Sequence, residues 1–227
     1  MIGVMSCDCD VPIVARREWG ARLPKSVKNM ATPVQFVFIH HTAMDCCLTQ
    51  EECLQQVRTI QNFHMDDRNW DDIGYNFLIG EDGRVYEARG WNRTGAHTYG
   101  WNEKAVAFCV MGSYNDRLPN KQALSALQNI IAYGVQEGKI TQDYKLYGHR
   151  DVRDTDCPGH KLYDLIKGWD HFCQSDPVKG TSTQLSKDTC LEHIKSTFPE
   201  PVKDTDSKND FLQIDVKMDN RMINEVL

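Results

Sequence analysis

The chain has 227 residues, of which 41% are apolar, enough for one domain of ordinary size with a buried core plus an extension. Its 32 acidic residues outnumber its 26 basic residues, and this mildly acidic balance argues against a nucleic-acid binder that works by releasing counterions. No window approaches about 18 consecutive apolar residues, so the sequence predicts no membrane span.

The N-terminal stretch "MIGVMSCDCDVP" has neither the basic start nor the long apolar run of a signal peptide. We therefore expect an intracellular chain, or a secreted one whose leader is missing from this sequence. We interpret residues 1–11 as an N-terminal extension. The chain has nine cysteines, and an odd number leaves at least one of them without a partner inside the chain.

Three elements are predicted in the first half of the chain. The stretch "TPVQFVFIHH" is rich in β-branched and aromatic residues and predicts a buried central strand over residues 34–41. Thr49 and Glu52 have the spacing of a capping box, which predicts a helix from about residue 50 to 65. The stretch "IGYNFLIGEDGRVYEA" predicts a hairpin whose loop holds Asp82 and Gly83.

The second half begins with another short buried strand, "KAVAFCVMGSY", in which Cys109 is expected to be a core residue. Asn120 is predicted to cap a helix that ends near Gly138. The predicted apolar face of that helix is Leu124, Leu127, Ile131 and Val135. The stretch "YKLYGH" predicts a last strand, and "GHKLYDLIKGWDHF" predicts a last helix. One side of this helix carries Leu162, Leu165, Ile166 and Trp169. Strands interspersed with helices predict an α/β fold with a mixed central β-sheet flanked by α-helices.

The composition changes after about residue 175, where scattered Ser, Thr, Asp and Lys replace the aromatic and aliphatic pattern. We therefore predict a domain over residues 12–175 and a charged, disordered tail over residues 176–227. Within the tail, "FLQIDVKM" alternates in polarity and could form a docking strand.

The stretch "LYGHRDVRDTDCPGH" places His149 eight residues before Cys157. Zinc fingers pair their ligands at shorter spacings, so this spacing does not indicate a finger. A cysteine–histidine nucleophile pair is one interpretation. The other is a fragment of a metal site that takes a further ligand from elsewhere in the chain.

His40 is the candidate for that further ligand, because it ends the first predicted strand as His149 ends the last one. Loops beyond strand ends are where ligands gather in such sheets. Two imidazoles and one thiolate would form a three-ligand zinc site with an open fourth position, where the metal lowers the pKa of water. A hydrogen-bonded core histidine and an inert buried thiol are the structural alternatives. A Cys157–His149 hydrolase is disfavoured because it leaves His40 without a task.

Several blocks of the sequence, in order, resemble the peptidoglycan recognition protein family: "VARREWGA", "FIHHTA", "DIGYNFLIGEDGRVYEARGWNRTGAHT", "GSYNDRLP" and "GHRDVRDTDCPG". That family is similar in turn to the zinc N-acetylmuramoyl-L-alanine amidases of phage and bacteria. The resemblance runs from about Pro12 to Phe172. It implies a mixed sheet flanked by helices, a groove for a muramyl peptide, and a role in innate immunity.

The resemblance also implies one Zn²⁺ held by His40, His149 and Cys157. Family members that only bind peptidoglycan typically lack the cysteine, so this chain resembles the active branch. That branch hydrolyses the amide bond between N-acetylmuramic acid and L-alanine. A non-catalytic peptidoglycan receptor is the alternative.

Further roles are implied residue by residue. Tyr75 matches the tyrosine that helps to place the zinc-bound water, and Thr155 matches a position that active relatives fill with threonine or lysine. Cys47 and Cys53 match a disulfide that is widespread in the family. The positions that match stem-peptide contacts are His41, Thr42, His64, Arg68, Tyr75 and His97.

The stem type of the expected substrate depends on Asn69, Trp70 and Arg89. Members that prefer diaminopimelate stems have Gly-Trp with a later arginine, whereas lysine-type binders have Asn-Phe with valine. Arginine suits the additional carboxylate of diaminopimelate. We therefore expect bacterial peptidoglycan or muropeptides of the diaminopimelate type as the partner, although Asn69 departs from that pattern.

Overall fold

A computed structural model of the chain describes residues 11–173. Residues 1–10 of the predicted extension lie outside the described residues. So does the whole predicted tail, including its candidate docking strand.

The strands form one six-stranded sheet with the order β1-β4-β3-β5-β2-β6. Their bounds are Ile13–Val14 (β1), Val34–His41 (β2), Phe77–Ile79 (β3), Val85–Glu87 (β4), Ala105–Val110 (β5) and Ile140–Gly148 (β6). Within this sheet β3 and β4 pair antiparallel as the predicted hairpin, and every other neighbouring pair is parallel. The predicted mixed sheet is therefore confirmed.

β2 lies between β5 and β6, and its bounds agree with the prediction. Its last five residues are all buried because both faces of the sheet are covered there, which explains the nearly continuous apolar run. β1 was not predicted, since two residues beside a proline carry no alternating pattern. It adds an edge to the sheet by pairing with β4.

The helices are α1 (Gln50–Asn62), α2 (Lys121–Gln136) and α3 (His160–Ile166). None of the helices within residues 11–173 has the length and apolarity that crossing a membrane requires. α1 begins as predicted: the hydroxyl of Thr49 accepts the Glu52 N–H at 3.3 Å, and the Glu52 carboxylate accepts the Thr49 N–H at 3.1 Å. The predicted end near residue 65 is wrong, because the chain widens into a π-helical turn over Phe63–Asp67.

α2 is capped by Asn120, whose Oδ1 accepts the Ala123 N–H at 2.9 Å. Its predicted apolar face is only partly correct, since Leu124 and Val135 are half-buried. The buried residues of the helix are Ala123, Ala126, Leu127, Ile130, Ile131 and Gly134. Small residues were overlooked because the prediction counted only large apolar side chains. At position 134 a Cβ would lie 2.6 Å from the ring of Trp91, so glycine is required for this close packing.

The last helix is shorter than predicted and ends at Ile166. Leu162 and Ile166 are buried as expected, whereas Leu165 and Trp169 are half-buried. Beyond the helix the backbone pairs with β6 instead: the Leu146 N–H donates to the His171 carbonyl at 2.8 Å, and the Cys173 N–H donates to the Leu146 carbonyl at 2.9 Å. This pairing with an edge strand ends the helical conformation.

The core consists of two clusters, one on each face of the sheet, because successive strand residues point to opposite sides. One cluster packs against α2 and α3, and the other packs against α1. The predicted disulfide is confirmed: Cys47 and Cys53 are bonded, with their Cα atoms 5.0 Å apart. Cys109 is fully buried, as predicted, and Cys46 is a free thiol.

The cap of α2 supports a stability prediction. Asn120 bonds both the start of α2 and, through its Nδ2, the Glu81 carbonyl at 2.7 Å. We expect N120A to lower the free energy of unfolding by about 1–2 kcal/mol, as measured by urea denaturation. The exposed mid-helix variant Q128A should change it by less than about 0.5 kcal/mol. Equal effects of the two variants would contradict the capping role.

Candidate metal centre and the adjoining groove

Parallel pairing of β2 with β6 brings two histidines together at one edge of the sheet. In this register Ile39 pairs with Gly148, so His40 lies beside His149, which follows β6 directly. The centroids of the two imidazole rings are 4.5 Å apart, with 47° between the ring planes. The prediction that two strand ends present these histidines together is therefore confirmed.

Cys157 reaches the same place because the loop after β6 folds back on itself. The Arg150 N–H donates to the Cys157 carbonyl at 3.0 Å, and the Asp151 carboxylate accepts the Gly148 N–H at 2.7 Å. The Cys157 Sγ lies 3.5 Å from His40 Nδ1 and accepts the His41 N–H at 3.4 Å. An N–H donor at this position stabilises negative charge on the sulfur.

His40, His149 and Cys157 are all buried, and each offers a ligand atom within 4.8 Å of the other two. Ligands of tetrahedral zinc lie about 3.4–3.7 Å apart when each metal–ligand distance is about 2.0–2.3 Å, so the 3.5 Å separation of His40 Nδ1 and Cys157 Sγ fits this ion. Burial, followed by the charges of His149, His97 and His41, lowers the pKa of His40 well below the ordinary value. The ring is therefore neutral, which is the form that binds metals.

Tyr75 and Thr155 both lie at this centre. Tyr75 is buried, and its ring centroid is 5.5 Å from that of His40. The hydroxyl of Thr155 accepts the Cys157 N–H at 3.2 Å and so shapes the turn that presents the sulfur. Their implied roles in catalysis remain predictions.

A hydrogen-bonded network continues from His40 through the loop before β5. The hydroxyl of Thr98 lies 3.2 Å from His40 Nε2 and 3.0 Å from His97 Nδ1. The side-chain oxygen of Asn102 accepts both the His97 and the Thr98 N–H at 2.8 Å. Sequence analysis selected His97 but missed Thr98 and Asn102, because small polar residues in a loop leave no periodic signal.

Beside this network lies a cavity of about 430 Å³. The residues that line it are Trp70, Ala96, His97, Thr98, Tyr99, Asn102 and Arg153. Trp70 and His97 were predicted to contact a substrate, and the structure places both on this wall. The other lining residues were not predicted, although most of them belong to the quoted stretch "GAHTYGWN".

The π-helical turn after α1 supplies further predicted contact residues. The buried ring of His64 stacks on Trp70 with centroids 4.7 Å apart, and its Nδ1 accepts the Gly74 N–H at 3.1 Å. Arg68 places its guanidinium 5.3 Å from the centroid of the Phe63 ring. The wider π-helical turn thus orders three predicted groove residues together.

Arg89 and Asn69 are held in different ways. Arg89 donates to the carbonyls of Ile73 at 2.7 Å, Thr94 at 2.6 Å and Asp72 at 3.4 Å, so its guanidinium is fixed against the backbone. Asn69 is exposed and has a φ of 54°, a conformation that glycine and asparagine tolerate best. Its departure from glycine therefore keeps the backbone conformation available at this position.

His41 and Thr42 are buried at the end of β2. His41 Nδ1 accepts the Tyr114 N–H at 3.3 Å, and the Thr42 hydroxyl accepts the Gly112 N–H at 2.9 Å. The two side chains thus hold the chain that follows β5. Their part in stem-peptide binding stays a prediction.

Comparison with known proteins gives consistent matches. Residues 30–160 match the family described as N-acetylmuramoyl-L-alanine amidase. Peptidoglycan-recognition protein LB of Drosophila melanogaster is 42% identical over 189 residues, which cover 83% of this chain and 82% of the relative.

Solved structures agree with these sequence matches. The structure of wild-type Drosophila PGRP-LB superposes with a TM-score of 0.71 at 46% identity, covering 71% of this chain and 96% of that one. Peptidoglycan recognition protein LE in complex with tracheal cytotoxin, described as monomeric diaminopimelic acid-type peptidoglycan, superposes with a TM-score of 0.70 at 38% identity. This match covers 70% of this chain and 95% of that one.

The buried histidines predict a dependence of stability on pH. Burial, with smaller contributions from nearby charges, lowers the pKa of both His64 and His97 to about 3. The unfolded chain, in which histidine titrates near about 6.5, therefore binds more protons between these values. In the presence of a chelator, the free energy of unfolding should fall from pH 7 to pH 5, by up to about 1.4 kcal/mol per pH unit for each histidine. Urea denaturation at a series of pH values measures this, and a flat profile would contradict the prediction.

Proposed function

This chain belongs to the peptidoglycan recognition protein family, and we propose that it is a zinc-dependent N-acetylmuramoyl-L-alanine amidase acting on bacterial peptidoglycan in innate immunity. The observation that carries this proposal is the buried group of His40, His149 and Cys157. A protein that only bound peptidoglycan would need a groove, but it would not need a thiol between two imidazoles.

Burial strengthens the argument for a metal. Burying polar side chains costs free energy unless they find partners, and three metal-binding side chains share one buried site here. Bound zinc would act as a Lewis acid on the amide carbonyl and lower the pKa of a water molecule. His40, His149 and Cys157 would hold the ion and leave a fourth position open.

The remaining residues of the centre suit the same reaction. Tyr75 lies close enough to His40 for its phenol to orient water or the carbonyl oxygen of the scissile bond. Thr155 fixes the turn of Cys157 through the 3.2 Å hydrogen bond to its N–H. The cavity lined by Trp70 and His97 borders the centre and offers the muramyl peptide a place beside it.

We further propose that the groove prefers diaminopimelate stems. Arg89 uses three of its five N–H groups on backbone carbonyls, which leaves one on each terminal nitrogen. Two such donors are what a bidentate carboxylate requires, and the fixed guanidinium has little conformational entropy left to lose. The relative that binds diaminopimelic acid-type peptidoglycan supports this preference by analogy.

The amidase activity is tested by mass spectrometry of peptidoglycan treated with the purified protein. Wild type should release stem peptides that begin at L-alanine, lose this activity with a chelator and regain it with zinc. C157S should reduce the cleavage rate by more than about 100-fold, since even changes in outer-shell partners of metal ligands cost about 10–100-fold. Binding of muramyl peptide should persist.

C46S is the matched control, because it replaces a free thiol outside the metal centre. This variant should cleave at the wild-type rate. If a folded, zinc-loaded wild type released no stem peptide but still bound it, the protein would be a receptor and not an amidase. Cleavage by C157S at the wild-type rate would rule out the zinc assignment.

The stem preference is tested by isothermal titration of muramyl peptides with diaminopimelate or lysine at the third position. Wild type should bind the diaminopimelate peptide more tightly, and R89K should lose most of that difference because lysine cannot form the bidentate contact. R93K is the control, since Arg93 is also hydrogen-bonded to backbone carbonyls. An unchanged preference in R89K would show that another residue reads the stem.

A further inference from the structure

Thr98 occupies a position that neither the resemblance nor the comparisons assign to any function. Its hydroxyl lies between two imidazole rings, 3.2 Å from His40 Nε2 and 3.0 Å from His97 Nδ1. Thr98 and His97 are both almost fully buried. One hydroxyl therefore connects a proposed zinc ligand to a residue on the wall of the cavity.

The chemistry of these groups limits where their protons can be. A neutral imidazole carries one ring proton, and a threonine hydroxyl donates one hydrogen bond while accepting others. His40 points its Nδ1 at the Cys157 sulfur, 3.5 Å away, and its Nε2 at Thr98. A nitrogen that binds zinc must present a lone pair, so Nδ1 must carry no proton.

We propose that Thr98 is a positioning residue: it accepts the Nε2 proton of His40 and thereby keeps the lone pair of Nδ1 directed at the metal position. Its own hydroxyl proton then goes to His97 Nδ1, so His97 carries its proton on Nε2. This inference rests on the proposed assignment of zinc to the site. It adds a residue that fixes the tautomer of a ligand, as hydrogen-bond acceptors commonly do for metal-bound histidines.

The surrounding structure holds this network in one geometry. Asn102 accepts the N–H groups of both His97 and Thr98, which fixes the backbone that carries the two side chains. A side chain at Gly95 would collide with the ring of His97, so glycine leaves the space that this ring fills. The rings of His40 and His97 meet edge to face, with centroids 5.5 Å apart.

The test compares T98V, which keeps the shape but removes the hydroxyl, with T98S, which keeps the hydroxyl. Zinc affinity is measured by competition with a chromophoric chelator. T98V should bind zinc about 10-fold or more weakly, whereas T98S should stay close to wild type. T94V is the matched control, because Thr94 is also buried and its hydroxyl bonds to the Asn29 carbonyl at 3.3 Å. Circular dichroism and thermal unfolding verify that each variant is folded.

The proton positions are measured on the metal-free protein by ¹⁵N chemical shifts of the histidine rings. Wild type should show His40 and His97 as Nε2–H tautomers, and T98V should show His40 as a mixture of tautomers. A proton on His40 Nδ1 in wild type, or wild-type zinc affinity in T98V, would overturn the proposal. Because these readouts need no cleavage, they separate a failure of this inference from a failure of the amidase activity.

Discussion

The parallel pairing of β2 with β6 is the constraint on which the metal centre depends. Parallel strands end at the same edge of a sheet, so the pairing of Ile39 with Gly148 places His40 beside His149. An antiparallel pair would send the end of β6 toward the start of β2. A shift of β2 by one residue would turn His40 toward the other core cluster, because side chains alternate between faces. The backbone register therefore sets the distance between the two rings.

The groove depends on buried polar side chains that order irregular chain segments. Asn76 donates to the carbonyls of Gly90 and Arg93 and accepts the Ala107 N–H, which joins three segments at one fully buried residue. An unpaired buried polar group costs about 1–3 kcal/mol, so these bonds strongly favour a single loop conformation. The resulting wall is held in place before a ligand arrives, which lowers the entropic cost of binding.

Hydrogen-bond patterns that start from strong local signals were predictable from the sequence. The capping box of Thr49 and Glu52 and the cap at Asn120 require only a few neighbouring residues, and both are present. The bounds of β2 were also correct, because a strand buried on both faces is apolar throughout. The end of α3 was not predictable, since it depends on the pairing of the chain near His171 with Leu146, a residue far away in the sequence.

The sequence by itself determined which side chains could bind a metal, because only His40, His149 and Cys157 fell at predicted strand ends with matching motif residues around them. It also determined the family, through several blocks in a fixed order. Only the tertiary structure decided that Thr98 and Asn102 belong to the same site, because their bonds to His40, His97 and the backbone close across the fold. Local patterns report the propensity of a segment, whereas such contacts arise when the sheet register and the loops are fixed together.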